Sequence, residues 1–275
     1  MKKLILALLA ISLLLCFAAC GGTGADDSMQ NDASSDNQEA TSNDAAPDTE
    51  DNVLTMVTEA TFAPYEYYEG TEIVGIDVEI AQLLADKLDM ELDVQDIAFD
   101  SIIPAVQTGK ADMGMAGMTV DEERLESVNF SHSYATGVIV VLVAADSEIS
   151  SIDDLSAGGY TIGAQTGTTG ELYATWDFED EGLGTVERFN KYPDAVQALI
   201  SGKVDCVFID NEPAKSYVAA NEGLKILETP YANEEYAICV AKDNTELLDS
   251  LNTALDELIA DGSVQEIIDK YITAE

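Results

Sequence analysis

Val106–Gly117 reads VQTGKADMGMAG, and Leu199–Asp210 reads LISGKVDCVFID. The two stretches share one order. An apolar helix end meets Thr or Ser, then Gly-Lys, an apolar residue, an Asp and a short run of apolar and small residues. Glycine just past a helical pattern is a stop signal, and the run after it fits a strand. Two copies of this unit in one chain predict two similar α/β lobes.

Downstream of the first copy, Met118–Phe130 (MTVDEERLESVNF) changes from strand-like to a polar, helix-like segment that carries Arg124. Arginine is scarce in this chain. A guanidinium just past a strand end, after Gly and Thr, is a candidate anchor for a small anion, because its fork matches a carboxylate bidentately. The alternative is a surface arginine paired with Glu122, Glu123 or Glu126, an arrangement that stabilises little.

Strands and helices alternate on both sides of this segment. VLTMVTE starts the folded sequence near Val53, and ATFAPYEYYEGTEIVG is loop and hairpin material rich in aromatics. DVEIAQLLADKL (Asp77–Leu88) is an amphipathic helix, MELDVQDIA a strand, Asp100–Thr108 a short helix and ADMGMAGM a third strand. GVIVVLVA (Gly137–Ala144) is an uninterrupted apolar run, as expected of a strand buried on both faces. YTIGAQTGTTG, TVERFNK and VDCVFID continue the series as strands, with helices over Glu171–Asp177 and Pro193–Ser201 between them. YAICVA (Tyr236–Ala241) reads as a second long apolar strand, and helices over Thr245–Asp261 and Ser263–Tyr271 close the chain. The fold class is therefore α/β, with mixed, mostly parallel sheets in two lobes and two crossover strands as the hinge. Lobe 1 is 53–140 with 240–275, and lobe 2 is 141–239.

In such sheets ligands bind beyond the carboxyl ends of the strands. Three loops of the first lobe lie there: Glu59–Tyr68, Ile97–Ser101 and Gly117–Arg124. They bring Glu59, Phe62, Tyr65, Phe99, Thr119 and Arg124 toward one edge.

Charge and cysteines narrow the function classes. The 275 residues carry 12 Lys+Arg against 53 Asp+Glu, a formal net charge of -41, which argues against nucleic acid and against a broad grip on anionic lipid. Met1-Lys2-Lys3 and the apolar run Leu4–Ala19 form a secretory leader over 1–20. Ala18-Ala19-Cys20 resembles the lipoprotein signal of bacteria, in which the cysteine becomes the lipid-modified first residue; an ordinary signal cleaved near Ala19 is the alternative. Residues 21–52 lack Lys, Arg and aromatics and read as a disordered acidic tether. Cys206 and Cys239, in apolar runs, read as buried hydrophobes rather than a disulfide. With one histidine, His132, and no CxxC, no metal or cofactor is expected.

The segments TEATFAPYEY, GIDVEIAQLLADKL, FDSIIPAVQTGKADMGMAGMTVDEERLESVNFSHSY, GAQTGTTGELYA, AVQALISGKVDCVFIDNEPA and LIADGSVQEIIDKY, in unbroken order, resemble the extracytoplasmic solute-binding proteins of bacterial ABC importers. The match is to the polar amino acid branch, solute-binding protein family 3, and covers about residues 53–272. The resemblance implies a periplasmic-binding-protein fold closing over one ligand. It places Arg124 on the family's carboxylate-binding arginine and Asp210 on its ammonium-binding aspartate. It places Gly117 and Thr119 on main-chain and hydroxyl contacts, and Thr166, Gly167, Thr168 and Thr169 on the second-lobe loop that offers N–H groups. Phe62 and Phe99 match the aromatic walls, with Tyr65 beside them. The residue-level alternatives are core packing for the aromatics and helix capping for Asp210, Thr168 and Thr169.

Glu59 falls where the family touches the ligand's side-chain end. A carboxylate in a closed pocket needs a partner, which favours a free L-amino acid of the arginine, lysine, ornithine, histidine or glutamine class. The alternative is that Glu59 turns outward. The implied function is the substrate-binding component of an amino acid ABC transporter: a monomer, not an enzyme, held outside the cell membrane by lipidated Cys20 and delivering its load to a permease. A dehydratase of the cyclohexadienyl type on the same fold, or a ligand-sensing domain, are the competing readings.

Overall fold

The computed structural model describes residues 52–227 and 229–272. The leader, Cys20 and the tether as far as Asp51 lie outside the described residues.

The first strand, β1 (Val53–Thr58), ends fully buried. A small antiparallel ribbon of β2 (Thr61–Phe62), β3 (Glu66–Glu69) and β4 (Glu72–Val74) follows. It turns into α1 (Ile76–Lys87) at Gly75, whose φ is 134°. A side chain there would run into the Tyr65 carbonyl oxygen, so only glycine makes this turn. Helix α1 buries Ile76, Ile80, Ala81, Leu84 and Ala85 along one face, the spacing that made it legible as amphipathic. Then come β5 (Glu91–Asp96), a 3-10 turn at Phe99–Ser101, α2 (Ile102–Gln107), β6 (Met113–Gly114), α3 (Glu122–Ser127) and β7 (Val128–Phe130).

The chain passes to a second sheet through β8 (Ala135–Ala144), followed by α4 (Ile152–Leu155), β9 (Tyr160–Gln165) and α5 (Thr169–Ala174). Next are β10 (Gly184–Phe189), α6 (Tyr192–Ile200), β11 (Cys206–Asp210), α7 (Asn211–Ala220), β12 (Leu224–Ile226) and β13 (Ala232–Tyr236). It returns to the first sheet as β14 (Cys239–Ala241) and ends in α8 (Thr245–Ala260) and α9 (Ser263–Tyr271).

The first sheet has the order β5-β1-β6-β14-β7, and the second β10-β9-β11-β8-β12, with β13 also pairing to β8. Strands of the βαβ units run parallel, whereas β8 and β14 run antiparallel to their neighbours. The two repeated stretches occupy equivalent places. Strand β6 lies between parallel β1 and antiparallel β14, and β11 lies between parallel β9 and antiparallel β8. The internal repeat of the sequence is thus a repeat of architecture.

Two expected strands are shorter than their apolar runs. YAICVA is broken, because Tyr236 pairs with Ala135 in the second sheet and Cys239 with Phe130 in the first. Ala237 and Ile238 lie at the crossing, where no single ladder can hold both neighbours. ADMGMAGM contributes only Met113–Gly114. The apolar residues after it, Met115, Ala116 and Met118, are buried in the turn that leads to the cleft. Cys206 and Cys239 are buried free thiols, as expected of small apolar residues.

Candidate functional site

The two sheets direct the carboxyl ends of β1, β6, β9 and β11 toward one enclosed, tightly closed cleft with about 20 Å³ of free space. From the first sheet's side it is lined by Glu59, Phe62, Glu66, Phe99, Ala116, Gly117, Thr119 and Arg124. From the second come Gln165, Thr168, Thr169, Tyr192 and Asp210.

Arg124 is set by helix α3. Asp121, at the helix N-cap, accepts the Arg124 backbone N–H at 2.8 Å and pairs with Arg124 Nε at 3.1 Å. Arg124 Nη1 donates to the Thr119 carbonyl at 2.7 Å, and Nη2 donates across the cleft to the Gly167 carbonyl at 2.9 Å. The guanidinium also lies over the Phe99 ring, 5.5 Å from its centroid, a favourable cation–π arrangement. The residue is only 7% exposed. Burial holds its pKa below the ordinary value, opposed by the charge of Asp121. The surface pairing with Glu122, Glu123 or Glu126 does not form; Arg124 faces inward. Gly117 shapes the turn before it, with φ 51° and the Phe62 ring packed so closely that a side chain would collide with it.

Asp210 ends β11 at the N-cap position of α7 but makes no capping hydrogen bond. Its carboxylate instead accepts the hydroxyl of Tyr236, on the crossing strand β13. Burial pushes its pKa up to about 7, against the bond from Tyr236 and with the charge of Glu234 adding to the rise. Thr168 does cap its helix: its hydroxyl accepts the Glu171 N–H at 3.3 Å and donates to the Gln165 carbonyl at 2.8 Å. Capping and cleft-lining coexist there, because a helix N-terminus presents free N–H groups at the same place.

Glu59 is 1% exposed and lines the cleft, so it does not turn outward. Its oxygens accept the Thr61 hydroxyl at 2.8 Å, Lys191 Nζ at 3.1 Å and Gln165 Nε2 at 3.4 Å. Phe62 stacks on Tyr192 of the other sheet at 5.8 Å between centroids and 26° between planes, closing one wall.

The expected site residues divide as follows. Glu59, Phe62, Phe99, Gly117, Thr119, Arg124, Thr168, Thr169 and Asp210 line one cleft. Tyr65 does not; it is buried behind Phe62 and packs edge-on against Tyr236 at 5.2 Å. Thr166 is also outside the lining, and Gly167 reaches the site only through its carbonyl, as the acceptor for Arg124. Gln165, Tyr192, Glu66 and Ala116 line the cleft without having been singled out. Gln165, the last residue of β9, was within reach of the same strand-end argument that found Thr119 and Arg124. His132 is at the surface, 2.8 Å from Asp256. Among the described residues no cluster of His, Cys, Asp and Glu is arranged to hold a metal ion, and no helix is long and apolar enough to cross a membrane.

Two α/β lobes, joined by crossing strands and facing each other across one small polar cleft, define a two-lobed solute-binding protein. The model of the bacterial extracellular solute-binding proteins, family 3, matches residues 54–274, and the chain belongs to that family. It is 33% identical over 278 aligned residues to the arginine-binding extracellular protein ArtP of Bacillus subtilis, with 100% of each chain covered. Among solved structures it is similar to an ancestral arginine-binding protein bound to arginine, at 37% identity and TM-score 0.75, covering 80% of this chain and 98% of that one. An ancestral arginine-binding protein bound to glutamine matches at 36% identity and TM-score 0.75, covering 81% and 99%.

Asp210 supplies a test on the unliganded protein. A carboxyl whose pKa is higher folded than unfolded holds its proton more tightly when folded. That stabilisation is full below the unfolded value of about 4 and is lost as pH rises through about 7. Asp210→Asn cannot titrate. Urea unfolding should therefore show the variant gaining on the parent between pH 5 and pH 8, by on the order of 3 kcal/mol. An equal stability difference at both pH values would contradict this placement of the carboxyl.

Proposed function

We propose that this protein is the substrate-binding component of an amino acid ABC importer, taking a free polar or cationic L-amino acid from outside the cell and delivering it to a membrane permease. One observation carries the reading: a buried guanidinium, Arg124, and a buried carboxyl, Asp210, line the same cleft from opposite lobes. A free amino acid is a zwitterion and is the small solute that this pair fits. Arg124 holds the α-carboxylate with help from the Thr119 hydroxyl and the N–H groups opening helix α5. Asp210 takes the ammonium, its carboxylate held by Tyr236. Phe62, Phe99 and Tyr192 enclose the side chain, and Glu59 with Gln165 meets its polar end.

The side-chain class is arginine, lysine, ornithine, histidine or glutamine. The polar end of the cleft supports it, as do relatives that bind arginine and a similar structure that holds glutamine. Binding and closure are coupled: the ligand favours the closed arrangement because only there do both lobes touch it. The role is carriage rather than catalysis, since every polar group argued above holds the ligand's charges and none is poised against a bond to be broken. The carrier acts as a monomer outside the membrane, tethered through a lipidated Cys20; the mass of the mature N-terminal peptide tests that anchor, and an unmodified or absent Cys20 refutes it.

A thermal-shift screen of the common L-amino acids, followed by calorimetry, tests the function. At least one member of the class should raise the melting temperature. Arg124→Ala should weaken its binding by about 100-fold or more while the variant still unfolds cooperatively. A parent that binds none of them, or a variant that binds as tightly as the parent, sinks the reading.

A further inference from the structure

Lys191 is a residue that the sequence did not single out and that does not itself line the cleft. It lies between β10 and α6, in the second lobe, and its side chain is 38% exposed. Its ammonium stands 3.1 Å from Glu59 Oε1, in the first lobe, and 3.9 Å from Asp96 Oδ2. Glu59, by contrast, has a side chain only 2% exposed. The buried carboxylate at the polar end of the cleft therefore already carries a cation, and that cation comes from the protein.

We propose that Lys191 sets the preference of this cleft between cationic and neutral polar side chains, by moving its ammonium between Glu59 and Asp96. The inference rests on the amino acid-binding reading above. With a neutral side chain bound, such as an amide, Lys191 stays on Glu59 and keeps that buried carboxylate paired. An unpaired carboxylate there would be costly. With a guanidinium or ammonium bound, the ligand takes over Glu59. Lys191 is then released toward Asp96 and solvent, which its long stem and partial exposure allow. Asp96 is a ready second partner: its carboxylate is 22% exposed and is fixed by the Ala60 N–H at 3.0 Å and the Tyr68 hydroxyl at 3.3 Å. Gln165 and Thr61 donate to Glu59 independently of Lys191, at 3.4 and 2.8 Å, and so hold it while Lys191 moves. Lys191 thus makes one cleft serve two ligand charges.

The test is calorimetric titration of the full-length protein with L-arginine and with L-glutamine. Lys191→Met should tighten arginine and weaken glutamine, moving the ratio of the two dissociation constants by about tenfold or more. Lys191→Gln, which keeps a polar stem, should move the ratio in the same direction. In a Glu59→Gln background the same lysine substitutions should leave the ratio unchanged, because no carboxylate remains to be paired. A ratio that moves less than about twofold, moves the other way, or still moves without Glu59 overturns the proposal. A parent that binds neither ligand nor any related amino acid overturns the functional reading instead, and the two failures are distinct.

Discussion

A guanidinium withdrawn from water has to be matched, and the first lobe is built around matching Arg124. Asp121 serves both as the helix cap that starts α3 and as the counter-ion, so one side chain fixes the backbone and the charge together. The turn that carries Thr119 contributes a carbonyl, and Phe99 contributes a ring face. The remaining bond leaves the lobe: it goes to the Gly167 carbonyl in the second. A buried charge that is only partly satisfied at home is a reason for two lobes to meet.

The opposite lobe answers with acid. Asp210 has the same relation to β11 that the Gly117 turn has to β6, because the two strands are equivalent members of a repeated unit. Duplicating one α/β unit and placing its strand ends face to face creates a cleft with two differentiated ends. Beside it lies a buried acidic pair, Glu66 and Asp77. Neither oxygen of Glu66, nor Oδ1 of Asp77, has a hydrogen-bond donor. Burial pushes both carboxyls up, Asp77 to about 7. The charge of Asp77 adds to the rise at Glu66, and Asp77 Oδ2 anchors the Gly117 N–H at 2.8 Å.

Much of this was legible because it follows from period and punctuation. Alternating patterns, Gly stops and the repeat give the two lobes, the strand-end argument gives Arg124 and Thr119, and the family resemblance adds Asp210. What escaped depended on contacts distant in sequence. Lys191 looks like a turn residue before Pro193 until the lobes meet, and only then is it beside Glu59. Tyr192 gains its role the same way, by stacking on Phe62. Tyr65 misled in the opposite direction: an aromatic in a loop has no periodicity to say which way it faces, and it turned into the core against Tyr236. The break in YAICVA was hidden because apolar residues at a crossing look the same as apolar residues within a strand.

The central claim is that an ammonium is received by Asp210, whose carboxyl pKa is pushed up to about 7 by burial. Calorimetry of amino acid binding at pH 6, repeated in buffers of different ionisation enthalpy, measures the protons exchanged. The account predicts release of a large fraction of one proton, since the ligand's positive charge must lower that pKa. Binding with no net proton release, or with uptake, would contradict it.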